Sequence, residues 1–170
     1  EVFLAAQDTA RWYAQPVGPV LKTMLPEKLF EEYIHHPQSF SYTKPPFTTR
    51  YSIQAPTRDR ISYYKTLIRE NFAKQMSTLI VTPSRIHAES LGNELASGLG
   101  DKLLVIHGYH TPSRLQDLIH RALHHHDTLV VITTPAYASI LRADWATLIV
   151  ERASSSHYRY SFSPIFDTRH

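Results

Sequence analysis

The chain has 170 residues, of which 42% are apolar, and it contains no cysteine. This size suits one domain, with or without a fragment of another, and the lack of cysteine excludes disulfides and thiolate metal sites. No apolar stretch reaches the roughly 18 residues that a transmembrane helix needs, and the formal charge is only +3 although the pI is near 9.2.

Residues 1–37 predict a small helical layer. Apolar residues recur at helical spacing over 2–15, until Pro16 interrupts the pattern, and two shorter helices follow on either side of Pro26. The amino terminus has neither the basic flank nor the cleavage pattern of a signal peptide, and it does not begin with Met. We therefore expect a piece of a longer, cytoplasmic protein whose amino-terminal part is helical.

Residues 38–50 are rich in proline, serine and threonine, which predicts a linker before an α/β unit over 51–170. A first strand is predicted just before a turn at 54–62. Four further strands are predicted from apolar runs at 77–83, 102–108, 127–133 and 146–151. These runs are continuous rather than alternating, which favours an open parallel sheet with helices on both faces.

Two helices are predicted between these strands. The first covers 84–97, with Ser84 as its N-cap, and the second covers 111–126, with Thr111 as its cap and Pro112 in its first turn. The apolar stripe of the second helix is Leu115, Leu118, Ile119 and Leu123. Together with the strands, these helices predict right-handed βαβ crossovers.

Several strand ends carry short motifs in a recognisable order. They read IVTPSR at 80–85, VIHGYHTPSR at 105–114, VVITTPAYA at 130–138 and LIVERASSSHYR at 148–159. With RWYAQPVGPVLKTMLP at 11–26 and with Pro164, Phe166 and Arg169, this order resembles the first RecA-like motor lobe of the primosomal protein N′ (PriA) family of replication-restart helicases. The resemblance implies a RecA-like, P-loop-type sheet, ATP with Mg²⁺, and a nucleoid-associated protein that unwinds DNA in the 3′–5′ direction.

The phosphate-binding loop of that family is degenerate in this chain. Its positions fall on Gln54, Ala55, Pro56, Thr57, Arg58, Asp59, Arg60 and Ile61. Both glycines of the loop are replaced, by Gln54 and Asp59, while Arg60 stands in place of the lysine and Ile61 lacks the hydroxyl that binds Mg²⁺. The loop therefore predicts a pseudo-ATPase, with ATP and Mg²⁺ as cofactors only if it still binds them.

A second departure falls on the motif that binds Mg²⁺ and orients the attacking water. Glu151 and Arg152 occupy the positions of the family's acidic pair, and an arginine cannot act as a base. We therefore predict no catalytic residue in either half of the active site, and no ATP hydrolysis.

Basic and aromatic residues cluster around the degenerate loop. Residues 47–74 hold six basic and two acidic side chains, a balance that suits a polyanion. The predicted DNA contacts are Arg50, Arg58, Arg60, Thr82, Ser84, Arg85 and Thr134. The turn at 107–109 matches a further place where the family touches nucleic acid, and Tyr64 is expected to pack on the sheet.

The resemblance implies forked or single-stranded DNA and primosome or helicase-loading proteins as partners, and the composition implies no membrane. Two alternatives stay open, an active helicase with diverged motifs and a protein-interaction lobe without a role in DNA binding.

His120 and His124 lie four residues apart on one helix, but no carboxylate accompanies them as in an HExxH motif. No metal site is predicted.

Overall fold

The computed structural model describes residues 2–35 and 49–159. The helices are α1 (Val2–Trp12), α2 (Val17–Met24), α3 (Glu27–His35), α4 (Thr57–Ala73), α5 (Arg85–Leu95) and α6 (Pro112–His124). The strands are β1 (Ser77–Val81), β2 (Leu103–Ile106), β3 (Val130–Thr133) and β4 (Trp145–Val150), and short 3₁₀ turns cover Gly100–Lys102, Pro135–Tyr137 and Ser156–Tyr158. Most of the predicted linker lies outside the described residues, as do Pro164, Phe166 and Arg169.

The four strands form one parallel sheet in the order β2-β3-β1-β4. Ile80 in β1 lies between Ile132 of β3 and Ile149 of β4, and all three belong to the apolar runs that predicted the strands. Strands β1 and β3 are buried along their whole length, as a sheet covered on both faces requires. The prediction of an α/β fold with an open parallel sheet is confirmed, and the sheet is consistent with a RecA-like lobe.

Helices cover both faces of the sheet. On one face α4 and α5 pack on β1 and β3 through Tyr64, Ile68, Ala88, Leu91 and Leu95. On the other face α6 packs through the predicted stripe, Leu115, Leu118, Ile119 and Leu123, which is confirmed. Asn71 joins α4 to the sheet because its amide lies 2.9 Å from the hydroxyls of both Thr78 and Thr147. The core therefore lies in two layers, one on each side of the sheet.

The amino-terminal helices join the sheet through α3. Leu29 is completely buried in the layer beneath α6, and the hydroxyl of Tyr33 donates to the carbonyl of Ser139 at 2.9 Å. Helices α1 and α2 share a small cluster of their own, built around Ala6, Ala10 and Val20, and the carbonyl of Met24 in α2 accepts from the hydroxyl of Ser139. The predicted helical segment before the α/β unit is thus confirmed for the described residues.

One local prediction is wrong. Residues 49–56 form no strand: Tyr51 is 80% exposed and Ile53 is 44% exposed, so this segment does not bury enough apolar surface to join the sheet. Ser84 is the N-cap residue of α5, as predicted, but its hydroxyl lies 2.8 Å from Nδ1 of His87 and makes no capping bond. The Thr111 cap is confirmed, since its hydroxyl accepts from the backbone N–H of Arg114. No helix among the described residues combines the length and the apolarity needed to cross a bilayer.

Candidate nucleic-acid interface and carboxylate clusters

All four strands are parallel, so their carboxyl ends lie at one edge of the sheet, which we call the carboxyl edge. The segments that follow the strands there are 82–85, 107–110, 134–137 and 151–156. The first turn of α4 reaches the same edge, because Arg60 contacts Glu151 directly after β4. The degenerate loop and the degenerate acidic pair therefore meet in space, as the resemblance implied.

Where β4 ends at this edge, a carboxylate, a guanidinium and a phenol meet in what we call the Glu151 cluster (Arg60, Tyr64 and Glu151). Arg60 Nη2 lies 2.8 Å from Glu151 Oε1, and the Tyr64 hydroxyl donates to Glu151 Oε2. The Arg60 and Glu151 side chains are 18% and 10% exposed. Both carboxylate oxygens of Glu151 thus accept hydrogen bonds from within the protein.

The backbone around Glu151 is held equally firmly. Its N–H donates to the carbonyl of Val81 at 2.9 Å. The hydroxyl of Tyr158, a fully buried side chain, lies 2.7 Å from the Glu151 carbonyl and 2.9 Å from that of Val81. These bonds fix the chain as it leaves β4, so the carboxylate has little freedom to turn away from Arg60.

Electrostatics reinforces the Glu151 cluster. The hydrogen bond from Arg60 to Glu151, more than the opposing effect of burial, raises the pKa of Arg60 above its ordinary value. Burial, followed by the hydrogen bond to Glu151, raises the pKa of Tyr64. Both donors therefore keep their protons at neutral pH. The expectation that Tyr64 packs on the sheet is confirmed, since it is only 5% exposed.

The predicted phosphate loop has the geometry of an ordinary helix start. Pro56 is the N-cap residue and carries no N–H, while Arg60 Nη1 folds back onto the carbonyl of Ala55 at 2.6 Å. Gln54, Thr57, Arg58 and Asp59 are exposed around this turn. Ile61 is half-buried and packs against the core layer beneath α4. The positive side chain at the lysine position thus bonds to the protein rather than pointing into an open loop.

Arg152 stands where the family has the second residue of its acidic pair. It is exposed and adopts a left-handed backbone conformation with φ of 53°. Its carbonyl accepts from the N–H of Ser155 at 2.8 Å, which closes a turn after β4. Its place in this turn brings a cation, rather than a second carboxylate, to the carboxyl edge.

The residues predicted to contact DNA fall into two groups. Arg50, Arg58 and Arg85 are exposed, and Ser84 and Thr134 are half-buried. Thr82 is completely buried, and its hydroxyl lies 3.2 Å from the carbonyl of Thr133, so it has no access to a phosphate. Arg60 is occupied by Glu151 and by Ala55. Thr82 and Arg60 are therefore not retained as DNA contacts, because their polar atoms are hydrogen-bonded within the protein.

One pair at this edge was not predicted. The guanidinium of Arg85, at the start of α5, lies 4.7 Å from the ring centre of Tyr109, which follows β2 and is 79% exposed. An arginine over an aromatic face is a cation–π contact. The sequence pointed to the turn at 107–109, but only the strand order β2-β3-β1 brings Tyr109, after β2, to Arg85, after β1. Such a pair offers both a charge and a ring to a ligand.

Beneath this pair lies a buried histidine. His107 is 3% exposed, its Nε2 lies 3.2 Å from Glu89 Oε1, and its ring stacks on His110 with centres 3.9 Å apart. Burial, and then the neighbouring His110, lowers the pKa of His107. His107 is therefore neutral at physiological pH, and its role at this edge is to support the turn that carries Tyr109.

A second carboxylate cluster lies away from the carboxyl edge, between α3 and α6. We call it the Glu32 cluster (Glu32, Gln116, His120 and His124). Glu32 Oε1 lies 2.7 Å from His120 Nδ1 and 3.0 Å from His124 Nε2, while Gln116 Nε2 donates to Oε2 at 2.6 Å. Glu32 is the carboxylate that the helical histidine pair lacked in the sequence.

Comparison with known proteins adds no relative to this geometry. No family model matches the chain, and no curated protein matches it. The fold and the two clusters therefore carry the functional argument.

Proposed function

We propose that the carboxyl edge of this α/β lobe binds single-stranded or forked DNA, in a protein that acts in replication restart without hydrolysing ATP. The observation that carries the proposal is the Glu151 cluster, in which the residues at the two halves of a nucleotide site bond to each other. The lobe would serve as a scaffold on DNA for primosome or helicase-loading proteins.

The Glu151 cluster and the neighbouring Asp59 oppose nucleotide binding in three ways. Among the described residues, Arg60 is the only cation of the degenerate loop that is directed into the cluster. Its charge is neutralised by Glu151. The carboxylate of Glu151 would have to release Arg60 and Tyr64 before it could hold Mg²⁺. Asp59, in the first turn of α4, adds a negative charge where a phosphate would approach. ATP would therefore have to break a partly buried ion pair to enter.

The same edge offers exposed groups that suit a nucleic acid. Arg58 and Arg85 supply positive charge for phosphates, and Tyr109 supplies a ring on which a base can stack. Half-buried Ser84 and Thr134 add hydroxyls at the ends of neighbouring strands. Because Arg85 and Tyr109 touch, one single-stranded segment could meet charge and ring together.

The DNA proposal is tested with fluorescein-labelled single-stranded and forked oligonucleotides, by anisotropy titration at several salt concentrations. We expect the affinity to fall steeply with salt. Arg85→Ala should weaken binding to every sequence and reduce the log–log salt slope by about one, while Tyr109→Ala should weaken single-stranded binding by about 1–3 kcal/mol.

The matched control is Arg69→Ala, an exposed arginine on α4 at the end remote from the carboxyl edge. Its effect should be smaller than that of Arg85→Ala. Binding that is absent at low salt, or that is equally sensitive to the two arginine variants, would contradict a DNA site at this edge. The first result would favour a lobe that binds only proteins.

The absence of nucleotide binding, without which ATP cannot be turned over, is tested by titration. A fluorescent ATP analogue is added in the presence of Mg²⁺ to protein whose DNA binding has been measured. We expect no saturable signal at micromolar protein. Saturation in that range, lost in Arg60→Ala, would contradict the pseudo-ATPase and favour an active helicase with diverged motifs.

A further inference from the structure

We infer that the Glu32 cluster is a binding site for a divalent transition-metal ion of the zinc type, independent of the carboxyl edge and of any role in DNA binding. Glu32 from α3 and His120 and His124 from α6 would supply three ligands. Their ligand atoms all lie within 4.8 Å of one another.

The donor set fits such an ion by its chemistry. Two imidazole nitrogens and one carboxylate oxygen suit Zn²⁺, Co²⁺ or Ni²⁺, whereas Mg²⁺ and Ca²⁺ prefer oxygen ligands. Zinc bonds of about 2.0–2.2 Å in a tetrahedron place ligand atoms roughly 3.3 Å apart. The distances of 2.7 and 3.0 Å from Glu32 Oε1 to the two nitrogens need to widen only slightly to reach that value.

The carboxylate is prepared for a cation. The Glu32 side chain is only 5% exposed, and its two oxygens face three polar side chains, His120, His124 and Gln116. Gln116 holds Oε2 and leaves Oε1 to face the imidazoles. Such an outer contact is what orients a ligating carboxylate in metal sites.

The cluster also has a path for the ion and a place for a fourth ligand. The His120 side chain is 54% exposed, while those of His124 and Glu32 are 24% and 5% exposed. An ion can therefore enter beside His120 and keep a water as its fourth ligand. To bind the ion, the ring nitrogen of each histidine that faces Glu32 must present its lone pair, so any proton it carries moves to the other ring nitrogen or to solvent. The ion would then join α3 to α6.

The test is a titration of the full chain with Zn²⁺ alone, after treatment with a chelator and its removal, against a chromophoric competitor. We expect one specific equivalent in the unaltered protein. His120→Asn and Glu32→Gln keep the approximate size of each side chain but remove a good ligand, and each should weaken that equivalent at least about 10- to 100-fold. His126→Ala, which alters an exposed histidine beyond the end of α6, should leave it unchanged.

A spectroscopic measurement separates a built site from scattered surface binding. With Co²⁺ in place of Zn²⁺, the unaltered protein and His126→Ala should develop the intense visible absorption of a tetrahedral ion, and His120→Asn should not. Far-UV circular dichroism of each variant checks that it folds. Equal Zn²⁺ affinity in His120→Asn and the unaltered chain, or no bound equivalent in the unaltered chain, would overturn the site.

Discussion

Two buried glutamates hold this molecule together in different ways. Glu151 joins α4 to the end of β4 through Arg60 and Tyr64, while Glu32 joins α3 to α6 through histidines and a glutamine. Each is nearly closed to solvent, and each accepts bonds on both carboxylate oxygens. They differ in the partners that balance their charge.

The difference lies in whether the partner can exchange its proton. The Arg60 guanidinium stays charged at any pH that the fold tolerates, so the Glu151 cluster is closed to cations and phosphates alike. The imidazoles of the Glu32 cluster can present a lone pair to a metal ion. The permanent charge of Arg60 thus keeps Glu151 from binding another cation. The histidines, whose protons can exchange, leave Glu32 able to bind a metal ion.

The largest expected effect comes from breaking the closed cluster. Glu151→Ala leaves the charge of Arg60 and the hydroxyl of Tyr64 without their acceptor, and we expect it to lower the free energy of unfolding by about 2–3 kcal/mol, allowing for partial exposure of Arg60. Urea denaturation measures this. Glu70→Ala, an exposed glutamate on α4, is the control and should change stability by less than about 0.5 kcal/mol. Equal stability of the two variants would show that the ion pair contributes nothing.

A smaller loss is expected at the second cluster in the absence of metal. Glu32→Ala removes the acceptor of three donors, but water can reach His120, so we expect a loss of about 1–2 kcal/mol in the presence of a chelator. Glu31→Ala changes the neighbouring glutamate of α3, which pairs with Lys28 at the surface, and should cost less. A Glu32 variant as stable as the Glu31 variant would contradict a role in joining α3 to α6.

A single hydrogen bond sharpens the comparison further. Tyr64→Phe keeps the buried ring and removes only the bond to Glu151, so we expect a loss of about 1 kcal/mol. In the Glu151→Ala background the same substitution should cost much less, because its acceptor is already gone. Additive losses in this double-mutant cycle would mean that the phenol acts through its packing alone.

The smallest expected effect is a dependence on pH. Burial would raise the pKa of Glu32, but the hydrogen bonds from His120, His124 and Gln116 outweigh it, so the pKa is lowered from its ordinary value of 4.5. As the pH falls, the unfolded chain therefore takes up this proton before the folded chain does. The stability that Glu32 contributes is present above about pH 4.5 and is lost as the pH falls through the folded pKa. With a chelator present, Glu32→Gln should lose less stability than the unaltered chain as the pH falls from about 5 to about 3. Parallel curves for the two proteins would contradict this assignment.

Much of the fold follows from local patterns. The apolar runs at 77–83 and 127–133 are buried strands because their three or four consecutive apolar side chains fill both faces of a covered sheet. The turn from Thr111 to Pro112 begins α6 because its capping chemistry is local. The segment before Gln54 was wrongly predicted as a strand. It contains few apolar residues, and Tyr51 and Ile53 stay exposed instead of packing in the sheet.

The candidate sites were predictable only in part. The sequence alone determined which residues replace a phosphate-binding loop and an acidic pair, since replacement is a property of single positions. Only the tertiary structure decided that Arg60 bonds to Glu151, that Arg85 lies over Tyr109 and that Glu32 completes the histidine pair. These partners are far apart along the chain, so no spacing relates them. Charge neutralisation and metal ligation depend on distances of a few ångströms, and the packing of α3, α4 and α6 around the sheet sets those distances.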